Sequence, residues 1–181
     1  MLELPGQAAL SSFRLAKLTR NLQRADDRIE AVEARYAYFV ATHSDLSAED
    51  QRRLDALLMS GDKPVKLSRG AMALFVVPRP GTISPWSSKA TDIIKACDIE
   101  AVDRVERGIC YGLRFSVKVA DDDALALAPL LLDRMTEAVF TDVAGVEALF
   151  EAHEPAPVGT IPLTNEGRDA LVAANTDLGL A

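Results

Sequence analysis

One connection gathers most of the residue types that do chemistry. The stretch PRPGTISPWSSK, residues 78–89, holds the chain's only tryptophan, three serines and two cations. Ser84 followed by Pro85 reads as a helix start. The serine hydroxyl can accept from the first-turn amides, and proline fits the first helical position, where its missing N–H costs nothing. Those amides, with Arg79 and Lys89, can hold an anion. A plain strand-to-helix connection with Trp86 packed locally is the bland reading. An interface is the third, since Trp and Arg are favoured anchors between protein surfaces. Arg79, Ser84, Trp86, Ser87, Ser88 and Lys89 are therefore the candidate contact or anion-binding residues, joined by Arg107 further along the chain.

The other reactive types form no comparable group. Asp121, Asp122 and Asp123 are adjacent. Without further ligands nearby they read as the start of a helix, where carboxylates favour the positive end, and not as a metal site. His43 and His153 are far apart, each in a polar or connecting segment, with no ligand spacing between them and a cysteine. Cys97 and Cys110 are the only cysteines and read as buried free thiols. The sequence has no G-x-x-x-x-G-K-[ST] loop, no G-x-G-x-x-G and no G-x-S-x-G.

Composition narrows the classes further. The 181 residues carry a formal net charge of −7. That balance argues against broad nucleic-acid binding, which rests on cations that neutralise phosphates. No apolar run approaches the roughly 20 residues of a membrane-spanning helix. The N-terminus lacks the basic flank and apolar core of a secretory signal, so the expected compartment is the cytoplasm.

The elements that must position these residues follow from periodicity. Residues 7–24 read as a helix with Leu10, Phe13, Leu18 and Leu22 inward and Arg14, Lys17, Arg20 and Arg24 outward. Glu30–Thr42 alternates as a half-buried strand, with Val32, Ala34, Tyr36, Tyr38 and Val40 on one side and Glu33 and Arg35 on the other. Ser47 caps a second helix with Leu54, Leu57 and Leu58 inward and Gly61 as its stop. Ala71–Val77 is apolar throughout, as in a strand covered on both faces, and Pro78 and Pro80 end it. Residues 85–97 form a helix with Ala90, Ile93, Ile94 and Cys97 inward. Ile109–Val119 is a clear alternating strand, which Gly108 divides by a bulge or turn from an earlier one over 102–107. A helix follows Asp121–Asp123, kinked or delayed by Pro129, with Leu132, Met135 and Val139 in its buried stripe. After Thr141 come a short helix through Val146, Leu149 and Phe150, a proline-rich connector, and a last helix from about Thr164. The pattern implies an α+β fold with helices on a mostly antiparallel sheet, and its β-α-β pieces resemble ferredoxin-like units.

At this point four motifs are familiar. PRPGTISPWSSKATDI (78–93) and VDRVERGICYGLRF (102–115) closely resemble the N-terminal region of the large, single-chain phosphoribosylformylglycinamidine synthases. DRMTEAVF (133–140) and GRDALVAANTDLGLA (167–181) resemble later parts of that region, in the same order. The resemblance implies a domain built like two fused copies of a small synthase subunit, over residues 1–141, and the start of a helical linker over 142–181. It implies, for the parent enzyme, a synthetase domain that uses ATP and magnesium to activate formylglycinamide ribonucleotide. It also implies a glutaminase domain that supplies ammonia from glutamine. Those two domains would be this segment's partners. No catalytic, cofactor-binding or metal residue of the family carries over to a position here, so the segment is expected to be a non-catalytic scaffold. A free-standing small subunit of the same enzyme and a small-molecule-binding regulatory domain remain open alternatives.

Overall fold

A computed structural model describes residues 1–59, 63–151 and 157–179. Five strands form one antiparallel sheet in the order β1-β2-β4-β3-β5. They are β1 Leu2–Ala8, β2 Ile29–Thr42, β3 Met72–Pro78, β4 Val102–Phe115 and β5 Glu137–Phe140. The helices are α1 Ser12–Ala25, α2 Ala48–Met59, α3 Pro85–Ala96, α4 Asp121–Leu125, α5 Val143–Val146 and α6 Leu163–Leu178. The architecture is α+β, as the periodicity implies.

The sheet is a duplicated unit. A shift of 73 residues carries the starts of α1, β2 and α2 onto those of α3, β4 and α4. Serines in the same relation, Ser11 and Ser84, accept from the amides of Arg14 and Ser87 to cap α1 and α3. Leu2 faces Val40, and Met72 faces Leu113, the same place on the long strand of each half. The two long strands pair with each other along nearly their whole length. A local two-fold axis therefore passes by the Tyr36–Ile109 pair, the eighth residue of each long strand. This is the two-copy arrangement that the resemblance implies.

Each half buries its own apolar set under helices from both copies. Leu22 of α1, Val32, Tyr111, Leu113 and Leu127 close one cluster. Leu54 and Leu58 of α2, Ile94 of α3, Tyr38, Val40 and Val105 close the second. The third cluster joins Ala37, Phe39, Phe75 and Cys110 to Val146 and Leu149. That set explains why β2 is buried on both sides: Ala37 and Phe39 lie at the positions between Tyr36, Tyr38 and Val40. Arg35, expected on the outer side, is buried too. Its Nη1 lies 2.9 Å from Oε1 of Glu3 on β1, which supplies the counter-charge that such burial requires.

Several boundaries differ from the sequence reading. Residues 7 and 8 belong to β1, and the helix begins at Ser12. The edge position tolerates Pro5, whose missing donor would disrupt a central strand. Phe13 is 74% exposed and not part of the inner face. β4 runs unbroken through Gly108 and ends at Phe115, short of Val119. Gly108 makes no bulge in that pairing; it clears space for β3. A Cβ there would lie 2.6 Å from the Val76 carbonyl oxygen. Pro129 limits α4 to five residues and sits in a following 3-10 turn, Ala128–Leu130. Beyond it Val139 packs from strand β5, not from a helix, and Met135 is 78% exposed. Ser47 does cap α2, accepting from the Asp50 amide at 3.0 Å. The stop expected at Gly61 lies outside the described residues.

The change of character after Thr141 is not a change of packing at that residue. Val146 and Leu149 are buried, and the Arg104 guanidinium donates to the Leu149 carbonyl at 2.7 Å. The packed body thus reaches Phe150. In α6, by contrast, Leu171, Val172 and Leu178 are all exposed, and Ala170 alone is buried. Gly167 also departs from helical geometry there, at φ 57°. Amides of 168–178 are expected to exchange with solvent deuterium far faster than those of 105–113, because local opening of α6 exposes almost no apolar surface. Equal protection in the two segments would contradict this.

Candidate functional site

The Ser84 helix start is built as the sequence implies, but its surroundings were not legible there. The Ser84 Oγ accepts from the Ser87 amide at 3.0 Å. The same hydroxyl donates to Oε1 of Glu106 at 2.6 Å, and the Ser84 amide donates to Oε2 at 3.3 Å. The Arg107 amide is a third donor to that side chain, at 3.0 Å. Glu106 is 0% exposed. An internal acid therefore lies against the cap, where an external anion would have to come. The Ser87 hydroxyl donates to the Val105 carbonyl at 2.6 Å, and the Thr91 hydroxyl accepts from the Val105 amide at 3.1 Å. These bonds fasten α3 to a stretch of β4 beyond the reach of β3.

The seven candidate residues divide into three groups. Ser84 and Ser87 hold the helix in place. Arg79, Ser88 and Lys89 are exposed. Trp86 and Arg107 are half-buried and touch each other, with the Arg107 guanidinium carbon 4.8 Å from the indole ring centroid. Trp86 stacks on Tyr38 at 5.8 Å between centroids, and Arg107 also lies 4.6 Å from the Tyr36 ring. The tryptophan is thus a half-buried side chain packed against the second core cluster and not a freely exposed anchor. Glu106 was missed by the sequence reading. Its signal was an acid flanked by Val105 and Arg107 in a strand whose neighbours on either side become buried.

The exposed apolar residues nearby form a different surface. Pro78, Arg79, Ile83, Pro85, Met135 and Glu137 border a concavity of about 490 Å³. Ile83 is 59% exposed. The concavity joins the connection before α3 to the segment before β5, two of the motifs described above. Thr82 and Arg79 shape its rim: the Thr82 hydroxyl donates to the Arg79 carbonyl at 2.6 Å, and Gly81 takes φ +80°, which only glycine adopts freely.

Among the described residues nothing else gathers reactive groups. Among the described residues no cluster of three or more His, Cys, Asp and Glu is placed to hold a metal ion. His43 pairs with Asp103 at 2.8 Å on the exposed surface, and His153 lies outside the described residues. Among those residues no helix is long and apolar enough to cross a membrane. Ile93, expected inward, is 44% exposed, and Cys97 is the half-buried C-cap of α3. Burial pushes the Cys110 thiol up to about 11, which keeps it from the thiolate form a nucleophile needs. A thiol-reactive disulfide at pH 8 is expected to modify Cys97 in the native chain and Cys110 only after denaturant is added. Equal reaction of both thiols without denaturant would refute that.

Comparison with known families agrees with this geometry. The match covers residues 35–150, from the first half's long strand to the end of the packed body, and is to the family described as formylglycinamide ribonucleotide amidotransferase N-terminal. It spans well over half of the chain, and the chain belongs to that family.

Proposed function

We propose that this chain is the scaffold part of the purine-biosynthetic enzyme that converts formylglycinamide ribonucleotide to formylglycinamidine ribonucleotide, using ATP and glutamine. In this reading it supplies contact surface for a synthetase and a glutaminase domain and takes no chemical step itself. The observation that supports it is the concavity at Arg79, Ile83 and Met135. It presents apolar side chains to solvent beside a cation, at two separate motifs of the sequence. Exposed apolar groups rimmed by polar ones mark contact sites.

The residues here do not fit ATP or magnesium. The α3 cap faces the Glu106 carboxyl, which would repel a phosphate, and the chain lacks a phosphate loop. No step through either group is therefore assigned to it. Residues 157–179, with their exposed helix, fit the start of a linker better than a part of the packed unit. A small-subunit reading is less favoured, because that exposed helix buries only Ala170 and so adds little to the body's own packing.

The test is a paired measurement on Ile83→Asp with Met135→Asp. In the parent enzyme the double variant is expected to lose at least tenfold in glutamine-dependent activity, as central interface residues do when replaced. In this chain alone the same changes should shift urea unfolding by about 0.5 kcal/mol or less, since both side chains are exposed. Full activity of the parent carrying both substitutions, or glutamine turnover by this chain alone, would overturn the reading.

A further inference from the structure

The groove between α2 and α3 is a separate feature. Its space is about 220 Å³. Tyr38, Leu58 and Ile94 form the floor, and Leu57, Ile93 and Trp86 stand along the rim with Arg107. The Tyr38 hydroxyl donates to Oε1 of Gln7 at 3.1 Å at one end. At the other, Arg107 is held against the rings of Trp86 and Tyr36. Among the described residues its guanidinium makes no hydrogen bond and no ion pair. A planar cation fixed by two rings has its fork of donors already oriented, so little freedom is lost when a carboxylate takes it.

The duplicated architecture provides an internal control. The 73-residue shift carries Tyr38 onto Tyr111, Leu58 onto Leu131 and Arg107 onto Ala34. In the other half Tyr111, Leu131 and Ala34 are all buried in one closed cluster. The closed cluster thus holds an alanine where the groove holds Arg107. Folding does not call for a cation at that place. Arg107 is the strand residue that makes the second groove differ from its twin; the helices differ more widely, with Trp86, Ala90, Ile93 and Ile94 against Phe13, Lys17, Arg20 and Asn21.

We propose that this groove binds a small organic acid, with Arg107 taking the carboxylate and Leu57, Ile93 and Trp86 enclosing its apolar body. The size favours a ligand of this kind. Pockets for drug-sized ligands begin at about 300 Å³, so a nucleotide is too large and a short branched or aromatic acid fits. The site is distinct from the concavity at Ile83 and Met135, so its failure would leave the scaffold reading standing.

Trp86 is the only tryptophan, so its emission reports on the groove directly. The probes are 4-methylvalerate and its neutral amide, 4-methylvaleramide, titrated at pH 7. The acid is expected to change the emission saturably with a dissociation constant of about 1 mM, in keeping with the few atoms it offers. The amide should bind at least tenfold more weakly. Arg107→Gln should bring the acid down to the level of the amide. Ile93→Glu puts a repelling carboxylate at an exposed rim position, so it should fold normally and abolish saturation by the acid. Equal binding of acid and amide, no saturable change with either, or unaltered binding to Ile93→Glu would overturn the proposal. A third arm uses N-acetyl-leucyl-glutamyl amide. Saturation by that peptide with none by the free acid would overturn the small-acid assignment and make the groove a docking point for a chain segment.

Discussion

Glu106→Ala is expected to destabilise the chain by about 3 kcal/mol, far more than loss of the serine it holds. The side chain accepts from the Ser84 hydroxyl, the Ser84 amide and the Arg107 amide in a place closed to water. Removing it strands two amide donors, and a buried donor without a partner costs about 1–3 kcal/mol. Ser84→Ala removes the cap alone, worth about 1 kcal/mol. Glutamine at 106 should restore little. It keeps one acceptor oxygen but brings an NH₂ to a site already holding three donors. The decisive measurement is a double-mutant cycle in urea with Ser84→Ala. Residues in one network are expected to show a coupling of about 0.5–3 kcal/mol, and strict additivity would mean that they act independently.

The second large effect is expected at Gly108. Gly108→Val should cost more than about 3 kcal/mol, at the upper end of what overpacking does. The first added carbon would meet the Val76 carbonyl oxygen at 2.6 Å and Cγ1 of Val77 at 2.7 Å. One is backbone of β3 and the other belongs to a buried side chain, so neither can swing away. Relief requires β3 to move off β4, which would also disturb β5 beyond it. The midpoint of urea unfolding should fall with little change in slope. A Val variant within about 1 kcal/mol of the parent would show that β3 can give way cheaply.

Both positions mark where sequence reading reached its limit. The α3 start was legible because Ser-Pro is a local signal, complete within two residues. Glu106 was not, because two of the three groups it satisfies belong to Ser84, 22 residues away. Gly108 suggested a break in the strand, since a glycine's neighbours in space leave no trace in the flanking residues. β1 was hidden by Pro5 and Gly6, which disguise an edge strand. β5 was hidden because four residues are too few for alternation to stand out from a helical stripe. The long strands were legible because each alternates over many residues. Of the candidate site, the residue types around Trp86 were evident. That Arg107 lies against it, and that Tyr36 and Tyr38 complete the cluster, depended on strand pairing that no single segment reveals.

The two-fold relation between the halves has a consequence for how this surface can vary. In an assembly of two identical chains, every substitution is made twice. An arginine placed to open one groove would open its mate as well, at double the loss of core packing. Covalent joining removes that restriction. It also holds the halves at an effective concentration of about millimolar or above, so the pairing of β2 with β4 need not be tight enough to find its partner in dilute solution. One copy can then keep a closed, alanine-lined cleft while the other gives up packing for a cation. The place where the paired long strands carry alanine in one copy and arginine in the other, 34 against 107, is accordingly where mutational scanning should find a loss of tolerance that stability alone does not explain.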